Sequence, residues 1–195
     1  MTALPNLDMG PAVSAFRKEA RDWLTRHWTP AKRAAHRKKP FNDQGYDREF
    51  SKLMGRDGWI GVGWPKKFGG QGRSPSEQIA FITEFANAGA PNHSHTTSES
   101  IVAQALFLYG TQEQQDEWLP FIKSGECFFA LGYSEPEAGS DLAALRTRAV
   151  LDGDHWVVNG QKLWSTGADK SDYMWLAVRT DPEAKKHAGI SVLMV

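Results

Sequence analysis

The spacing of apolar residues changes near Gly125, and this change constrains the fold more than any other feature of the sequence. Before it, apolar residues recur every three to four positions between loops rich in glycine and proline, as in amphipathic helices. After it, apolar and polar residues alternate between short turn signals. The pattern predicts an α+β fold, in which an all-α helical domain over residues 1–125 is followed by an antiparallel β-domain over residues 126–195.

Helix starts are marked most clearly by two capping boxes, Ser74 with Glu77 and Thr111 with Gln114. We expect the helix that follows Thr111 to end or kink before Pro120, because proline cannot continue the backbone hydrogen bonding. The apolar face of the helix after Ser74 is predicted to consist of Ile79, Ile82, Phe85 and Ala86. Further helices are predicted over residues 13–27, 47–56 and 96–109.

Turn signals divide the second domain into strands. Asp152-Gly153 predicts a hairpin between residues 147–151 and 155–158, and Asn159-Gly160 predicts a second turn that leads into a strand over 161–165. Two more strands are predicted over residues 173–179 and 190–195. The last of them stops at Val195 without a turn or a polar tail, so we expect that part of the protein is missing after it.

Charge and cysteine content argue against several classes of protein. The chain has 23 Lys and Arg against 23 Asp and Glu, and this neutral balance argues against nucleic acid as the main partner. Cys127 is the only cysteine, which excludes an intrachain disulfide and a multi-cysteine zinc site and fits a cytoplasmic setting. The sequence shows no secretory signal and no apolar stretch near the ~20 residues that span a bilayer.

Three further patterns are more typical of structure than of a site. The glycine-dense stretch 58–72 matches no phosphate-binding motif, and we interpret it as a tightly turning loop. His93 and His95 lack a third ligand close in sequence, which favours polar loop or cap residues over a metal site. The basic run over 30–40 is bounded by prolines and favours a solvated connector over a grip for an anion. No metal site is therefore predicted.

The first candidate binding residues lie in the segment ALGYSEPEAGSD. Ser134, Gly139 and Ser140 offer hydroxyl groups and exposed backbone N–H groups in a loop, which suits an anion or the polar edge of a ring. No histidine lies nearby in sequence to activate either serine, so a nucleophile set is not indicated. Glu135 and Glu137 are either an acid/base pair or, as we favour, a turn-stabilising acceptor and its solvated neighbour.

The second candidate segment is QKLWSTG. Because side chains alternate along a strand, Trp164 and Thr166 are predicted to share one face, where an aromatic plane and a hydroxyl group can hold a flat heteroaromatic ring. The alternative is a buried tryptophan with a threonine beside it.

Four stretches of the chain resemble motifs of the acyl-CoA dehydrogenase family, in the same order and with the same spacing. They are GWIGVGWPKKFGGQG, GTQEQQDEWLPFIKSGE, GYSEPEAGSDLAA and WVVNGQKLWSTGA. The resemblance covers essentially the whole chain. It implies an N-terminal helical domain, a central β-domain of which this chain holds the first part, and a C-terminal helical bundle beyond Val195.

The resemblance also implies FAD as the cofactor. In the family, the segment matching Tyr133 and Ser134 hydrogen-bonds the polar edge of the flavin, although Ser134 replaces a usual threonine. The aromatic residue matching Trp164 flanks the isoalloxazine ring, and the hydroxyl residue matching Thr166 reaches flavin N5. The position matching Ser140 lies by the FAD pyrophosphate and the CoA path, so Ser140 is also a substrate-binding candidate. The full set of expected cofactor residues is Leu131, Tyr133, Ser134, Gly139, Ser140, Trp164, Ser165 and Thr166.

The activity implied by the resemblance is α,β-dehydrogenation of an acyl-CoA thioester to the enoyl-CoA, an oxidoreductase reaction. The base that removes the α proton is expected from the C-terminal bundle, so no catalytic residue is assigned up to Val195. The implied partners are the acyl-CoA substrate, an electron-transfer flavoprotein or similar acceptor, and other subunits of a homo- or hetero-oligomeric dimer or tetramer. The alternatives are a non-catalytic flavin-binding subunit of a hetero-oligomer, and an acyl-CoA oxidase or flavin monooxygenase of the same fold.

Overall fold

The computed structural model describes residues 10–91 and 93–195. The chain divides into two compact units, one up to residue 126 and one over residues 127–195. The first unit is helical and the second contains a sheet. The predicted order, a helical domain followed by a β-domain, is confirmed.

Short helices joined by turns form the first unit. The α-helices of the described residues are α1 Pro11–His27, α2 Pro30–His36, α3 Arg48–Arg56, α4 Pro75–Ala88, α5 His93–Thr97, α6 Ala103–Tyr109 and α7 Gln112–Lys123. A π-helical turn, Ser98–Val102, joins α5 to α6. This turn falls inside the stretch for which the sequence predicts one continuous helix over 96–109. π-Helical turns of this kind are frequent at functional sites.

The two capping boxes predicted from the sequence are confirmed. The Ser74 side chain accepts a hydrogen bond from the backbone of Glu77, while the Glu77 carboxylate accepts from the Ser74 backbone N–H at 2.8 Å. Thr111 and Gln114 pair in the same way at the start of α7. Each box satisfies backbone N–H groups that a helix start otherwise leaves unpaired, so these boundaries are fixed by local sequence.

Of the two alternatives expected from the sequence, an end or a kink before Pro120, the first is wrong, because helix α7 does not end there. It continues to Lys123, and the Ser124 backbone N–H donates to the carbonyl of Pro120 at 2.9 Å. Proline removes one helical hydrogen bond and crowds the preceding turn. Only a single turn follows Pro120, and the burial of Leu119 and Ile122 on either side of it stabilises that turn.

An aromatic cluster forms the core of the first unit, where α1 packs against α4. The ring centroid of Trp23 lies 5.5 Å from that of Phe50 and 5.6 Å from that of Trp59. Rings of this size bury more apolar area than any other side chains and dominate the energetics of a small core. The largest buried members are Phe16, Trp23, Trp28, Phe50, Met54, Trp59, Phe81 and Phe85.

Helix α4 presents a different face to this core than its sequence predicts. Phe85 is buried as expected, but Ile79 and Ile82 are more than half exposed, and Glu84 is buried instead. The Arg21 guanidinium donates two hydrogen bonds to Glu84, both at 2.9 Å. This bidentate pair satisfies the buried carboxylate and holds α4 in a rotation that apolar periodicity does not show.

The sheet of the second unit contains strands β1 Phe129–Gly132, β2 Arg148–Asp152, β3 His155–Asn159, β4 Tyr173–Arg179 and β5 Ile190–Met194. The strand order is β1-β4-β2-β3, and β5 pairs with β4. β2 and β3 pair antiparallel, as do β4 and β5, whereas β1 and β2 each run parallel to β4. The sheet is therefore mixed rather than purely antiparallel. Two strands that pair in parallel are joined by a long connection, so no local turn signal in the sequence predicts their pairing.

The two glycines that were read as turn signals have different roles. Gly153 has a φ of 64° in the loop between β2 and β3, as a tight hairpin requires. Gly160 does not lead into a strand, and the predicted strand over 161–165 is absent from the described sheet. An ideal Cβ on Gly160 would lie 2.6 Å from the Cα of Thr147, so this glycine allows two backbone segments to approach closely.

We predict that Gly160→Ala destabilises the protein by about 2 kcal/mol, because the Cα of Thr147 as well as its side chain must move to admit the methyl group. Gly139→Ala is the matched control, since no atom lies within 4 Å of an ideal Cβ there. Its effect on the free energy of unfolding should stay within about 0.5 kcal/mol. Denaturant unfolding of both variants without added ligand measures the difference, and equal effects would contradict the close approach at Gly160.

Candidate functional site

A tight turn follows strand β1 and carries the first group of candidate residues. Glu135 and Ala138 close the turn with two backbone hydrogen bonds of 2.8 and 3.2 Å. Before the turn, the Tyr133 hydroxyl accepts a hydrogen bond from the indole N–H of Trp175 in β4 at 3.0 Å. The segment is therefore anchored to the sheet at one end and closed on itself at the other.

Glu135 is a buried hydrogen-bond acceptor. Its carboxylate accepts from the backbone N–H groups of Arg146 at 2.6 Å and Thr147 at 2.9 Å, and from Lys162 Nζ at 2.9 Å. Desolvation by burial opposes ionisation, but the hydrogen bonds from Lys162, Thr147 and the Arg146 backbone outweigh it and lower the pKa of Glu135 to about 2. Glu135 is therefore an anion at neutral pH, with its oxygens directed towards protein donors.

Glu137 has a different environment from Glu135. It is exposed, and it forms an ion pair with the exposed Arg146 guanidinium at 2.8 Å. The structure thus places the two carboxylates as a turn-stabilising acceptor and a solvated neighbour, rather than as two groups that converge on one reacting atom.

The second candidate segment is joined to the first by hydrogen bonds. Lys162 Nζ donates to the carbonyl of Tyr133 at 3.1 Å as well as to Glu135. The backbone N–H of Leu163 donates to the carbonyl of Ser134 at 2.9 Å. Residues 160–165 form no regular strand. The Lys162 ammonium and the Leu163 N–H group pair with the segment after β1 and not with a neighbouring strand.

Trp164 combines exposure with a strained backbone. Its side chain is 87% exposed and its φ is 60°, in the left-handed region, which costs a residue other than glycine about 1–2 kcal/mol. A positive φ breaks the alternation of side chains, so Trp164 and Thr166 do not share a strand face as predicted. Both side chains are nevertheless exposed in the same short segment.

The remaining predicted residues lie in the same two segments. Leu131 is half-buried in β1, opposite Trp175 of β4. Ser134 is half-buried and Ser140 is exposed. Ser165 is half-buried, and its hydroxyl oxygen is buried without a hydrogen-bond partner among the described residues. The bonds between residues 133–135 and 162–163 bring both segments together within the second unit.

The chemistry of these residues fits a flat cofactor with a polar edge, such as FAD. Trp164 offers an uncovered aromatic plane, and Ser140 and Thr166 offer exposed hydroxyl groups. The backbone at Gly139 is open to a ligand, because an ideal Cβ there meets no atom. A strained backbone that displays an indole to solvent is a cost to the fold, and such strain is concentrated at binding sites.

Lys162 and Trp175 are the site residues that sequence reasoning missed. Lys162 stands 27 positions after Glu135, and nothing in the local pattern connects the two. Its position within the fourth resembling stretch, WVVNGQKLWSTGA, two residues before Trp164, was the only available signal. Trp175 reads as an ordinary strand residue, and its bond to Tyr133 depends on the parallel pairing of β1 with β4.

A separate cavity of about 530 Å³ lies within the first unit. Apolar side chains make up much of its wall, together with a few polar groups from the π-helical turn and its flanks. Its lining includes Met54, Trp64, Phe81, Phe85, His95 and Glu99. A cavity of this size and composition is typical of a site for a largely apolar small molecule.

Glu99 is the most perturbed titratable group of this cavity. Burial raises the pKa of Glu99 to about 7, although a hydrogen bond of 2.8 Å from the Gly61 backbone N–H to Oε1 opposes the shift. The other carboxylate oxygen lies 3.7 Å from His95 Nε2. The sequence predicted His93 and His95 as loop or cap residues; both lie in α5 instead, and His95 is buried.

The part of the chain that the structure describes contains no cluster of three or more side chains suited to a metal ion. Within that same part, every helix is too short or too polar to cross a membrane.

We predict that the pH dependence of stability contains a contribution from Glu99. Its pKa in the folded protein lies above the ordinary value of 4.5, so the stabilisation is present below about pH 4.5 and is lost as the pH rises through 7. Between pH 5 and 8, the free energy of unfolding should fall by up to about 3 kcal/mol more for the natural protein than for Glu99→Gln.

Urea unfolding at a series of pH values measures the Glu99 contribution. Glu117→Gln, a change of an exposed carboxylate on α7, is the matched control and should leave the pH profile of the natural protein unchanged. Parallel profiles for the natural protein and Glu99→Gln would contradict the assignment.

The chain matches two family domains in the expected order. Residues 11–126 match the acyl-CoA dehydrogenase N-terminal domain, and residues 130–195 match the middle domain. Among curated relatives, the acyl-CoA dehydrogenase FadE26 of Mycobacterium tuberculosis (strain ATCC 25618 / H37Rv) is 48% identical over 190 residues, covering 95% of this chain and 47% of the relative.

Two solved structures are similar over nearly the whole chain. The Tcur3481-Tcur3483 steroid ACAD is 44% identical with a TM-score of 0.85, covering 100% of this chain and 49% of the other. The ChsE4-ChsE5 complex from Mycobacterium tuberculosis is 46% identical with a TM-score of 0.85, covering 98% and 48%. The chain spans about half the length of the relatives it matches. Both domains match, the two candidate segments are joined as described, and the similarity extends over nearly the whole chain. The chain therefore belongs to the acyl-CoA dehydrogenase family.

Proposed function

We propose that the complete protein catalyses FAD-dependent α,β-dehydrogenation of an acyl-CoA thioester to the enoyl-CoA. The observation that carries the proposal is the pairing of the two candidate segments, which presents an exposed and strained Trp164 beside hydroxyl-bearing residues. Membership of the family supports the reaction class. FAD, when bound, supplies the capacity to accept the two electrons removed from the substrate.

This chain's own residues bind and orient the cofactor in the proposal. Trp164 would pack against the isoalloxazine, and Thr166 would contribute its exposed hydroxyl group beside it, with Ser165 between the two. Leu131, Tyr133 and Ser134 contact the polar edge of the flavin from the other segment. Gly139 and Ser140, in the open part of the loop, receive the pyrophosphate, and Ser140 also contacts the CoA portion of the substrate.

The carboxylates of the candidate segments do not suit the role of base. A general base needs a free oxygen within reach of the α proton and a pKa near the working pH. Glu135 directs its oxygens to Arg146, Thr147 and Lys162, and its pKa of about 2 makes it a very weak base. Glu137 is solvated and paired with Arg146. We therefore assign no catalytic base here and propose that the base belongs to the other half of the protein.

The proposed substrate is a bulky acyl-CoA, and a steroid acyl-CoA is the first candidate. One of the similar structures is that of a steroid ACAD. The cavity of about 530 Å³ in the first unit, with its largely apolar wall, provides room for an acyl group larger than a short linear chain. An electron-transfer flavoprotein or a similar acceptor is the proposed electron partner.

A second candidate function is a flavin-binding subunit that forms its active site together with a different chain. Each of the two similar structures has a name with two components, Tcur3481-Tcur3483 and ChsE4-ChsE5. This favours a hetero-oligomer for the present protein as well. A same-fold oxidase or monooxygenase remains the alternative chemistry, and it would consume oxygen during turnover.

The visible spectrum of the purified complete protein, alone and with a co-expressed second acyl-CoA dehydrogenase chain, tests the proposal. We predict a flavin band that bleaches on anaerobic addition of a steroid acyl-CoA, taken from a panel that also contains linear and branched thioesters. Absence of flavin in the folded protein, in both preparations, would contradict the FAD assignment. A flavin band that no thioester bleaches in either preparation would contradict the dehydrogenase reaction.

A substitution at Trp164 should change stability and cofactor affinity in opposite directions. Trp164→Gly relieves the positive φ and removes no buried area, so the ligand-free protein should gain about 0.5–1 kcal/mol of stability. Loss of the aromatic plane should weaken FAD binding about 3- to 10-fold. Unfolding measurements and fluorescence titration with FAD provide the two values.

Lys186→Gly is the matched control for this substitution. Lys186 is exposed with a φ of 51°, and it lies outside both candidate segments. Its replacement should stabilise the protein to a similar extent and leave FAD affinity unchanged. A Trp164→Gly variant that binds FAD as tightly as the natural protein would show that the indole does not contact the cofactor.

A further inference from the structure

An ion pair is buried between the two segments that carry the candidate cofactor residues. The side chains of Glu135 and Lys162 are 7% and 8% exposed, and Oε1 lies 2.9 Å from Nζ. The two residues stand 27 positions apart, on either side of the β2–β3 hairpin. Burial of two charges is costly unless both are paired and hydrogen-bonded, so a buried ion pair of this kind is weak evidence for stability alone.

Each partner of the pair is satisfied by further bonds to the backbone of the site. Glu135 accepts from the N–H groups of Arg146 and Thr147, which lead into β2. Lys162 donates to the carbonyl of Tyr133, directly after β1. The pair therefore joins the end of β1, the start of β2 and the segment after β3 at one point.

Lys162 connects the ion pair to the main cofactor candidate, Trp164. Trp164 follows two residues later with its positive φ and its exposed indole. No regular strand pairing holds the backbone over 160–165 within the described sheet; Lys162 and the bond from Leu163 to Ser134 hold it instead. The backbone position of Trp164 thus depends on a few polar contacts of its neighbours.

We propose that the Glu135–Lys162 ion pair is a positioning device that fixes Trp164 and the turn after β1 in their cofactor-binding arrangement before the cofactor arrives. The inference rests on the proposed FAD site and extends it to two residues that do not touch the cofactor. Glu135 and Lys162 are positioning residues, and they act through Trp164, Tyr133 and Ser134. Pre-organisation of this kind lowers the entropy that binding must otherwise remove.

The test uses Lys162→Met, Glu135→Gln and the double variant in the complete protein, with its second chain if one is required. Each single variant leaves a buried charge without its partner, so it should weaken FAD affinity about tenfold or more through displacement of Trp164. The double variant should lose no more FAD affinity than the worse single variant, because the two residues act as one unit.

Glu137→Gln is the matched control, because Glu137 forms an exposed ion pair with Arg146 on the same loop. It should leave FAD affinity and thermal stability unchanged. If Lys162→Met and Glu135→Gln fold and bind FAD with the affinity of the natural protein, the pair stabilises the fold without positioning the site, and the inference is wrong. If the natural protein itself binds no FAD, the proposed function fails, which is a separate outcome.

Hydrogen exchange of the natural protein keeps the inference testable if the variants fail to fold. The positioning role predicts that the amide of Leu163, which donates to the carbonyl of Ser134, is already protected without FAD, with little further change when FAD is added. Rapid exchange of this amide in the ligand-free protein, followed by strong protection on addition of FAD, would show that the cofactor and not the ion pair orders the segment.

Discussion

Glu135 accepts hydrogen bonds from donors that belong to separate pieces of the second unit. Arg146 and Thr147 lead into β2, and Lys162 follows β3, while Glu135 itself lies in the turn after β1. One buried carboxylate thus joins the turn after β1, the start of β2 and the segment after β3. The low pKa of Glu135, about 2, follows from the same bonds, so the junction keeps its charge at every pH at which proteins normally work. The candidate cofactor residues are carried on the segments that this carboxylate joins.

The two units are stabilised in different ways. The first has an aromatic core around Trp23, Phe50 and Trp59, in which most of the stabilisation comes from buried apolar area. The second has small apolar clusters beneath the turn and between the strands, such as Ala138, Leu145 and Ala177, and Phe128 and Phe129 are buried at its start. Its two candidate segments are joined by polar contacts, and these contacts are directional. They hold the backbone of the segment that carries the strained Trp164.

The sequence was most informative where a structure depends on neighbouring residues. The capping boxes at Ser74 and Thr111 and the hairpin at Gly153 are local, and each is present as predicted. The order of a helical and a β-unit follows from the change in apolar spacing. Several of the predictions that differ from the structure involve distant partners. Arg21 holds Glu84 inward and turns α4, the parallel pairing of β1 with β4 makes the sheet mixed, and Glu135 draws Lys162 away from a strand. The candidate residues were found through motif resemblance, but the ion pair that joins their segments lies 27 positions apart and leaves no periodic signal.

The central claim is that one face of a flavin site is formed by Leu131, Tyr133, Ser134, Gly139, Ser140 and residues 164–166. A structure of the complete protein with FAD, together with its second chain if one is required, tests that claim most directly. The account predicts the isoalloxazine against the Trp164 indole, Tyr133 and Ser134 at its polar edge, and the Glu135–Lys162 distance unchanged from 2.9 Å. FAD bound elsewhere, with Trp164 still exposed to solvent, would contradict the assignment of the site.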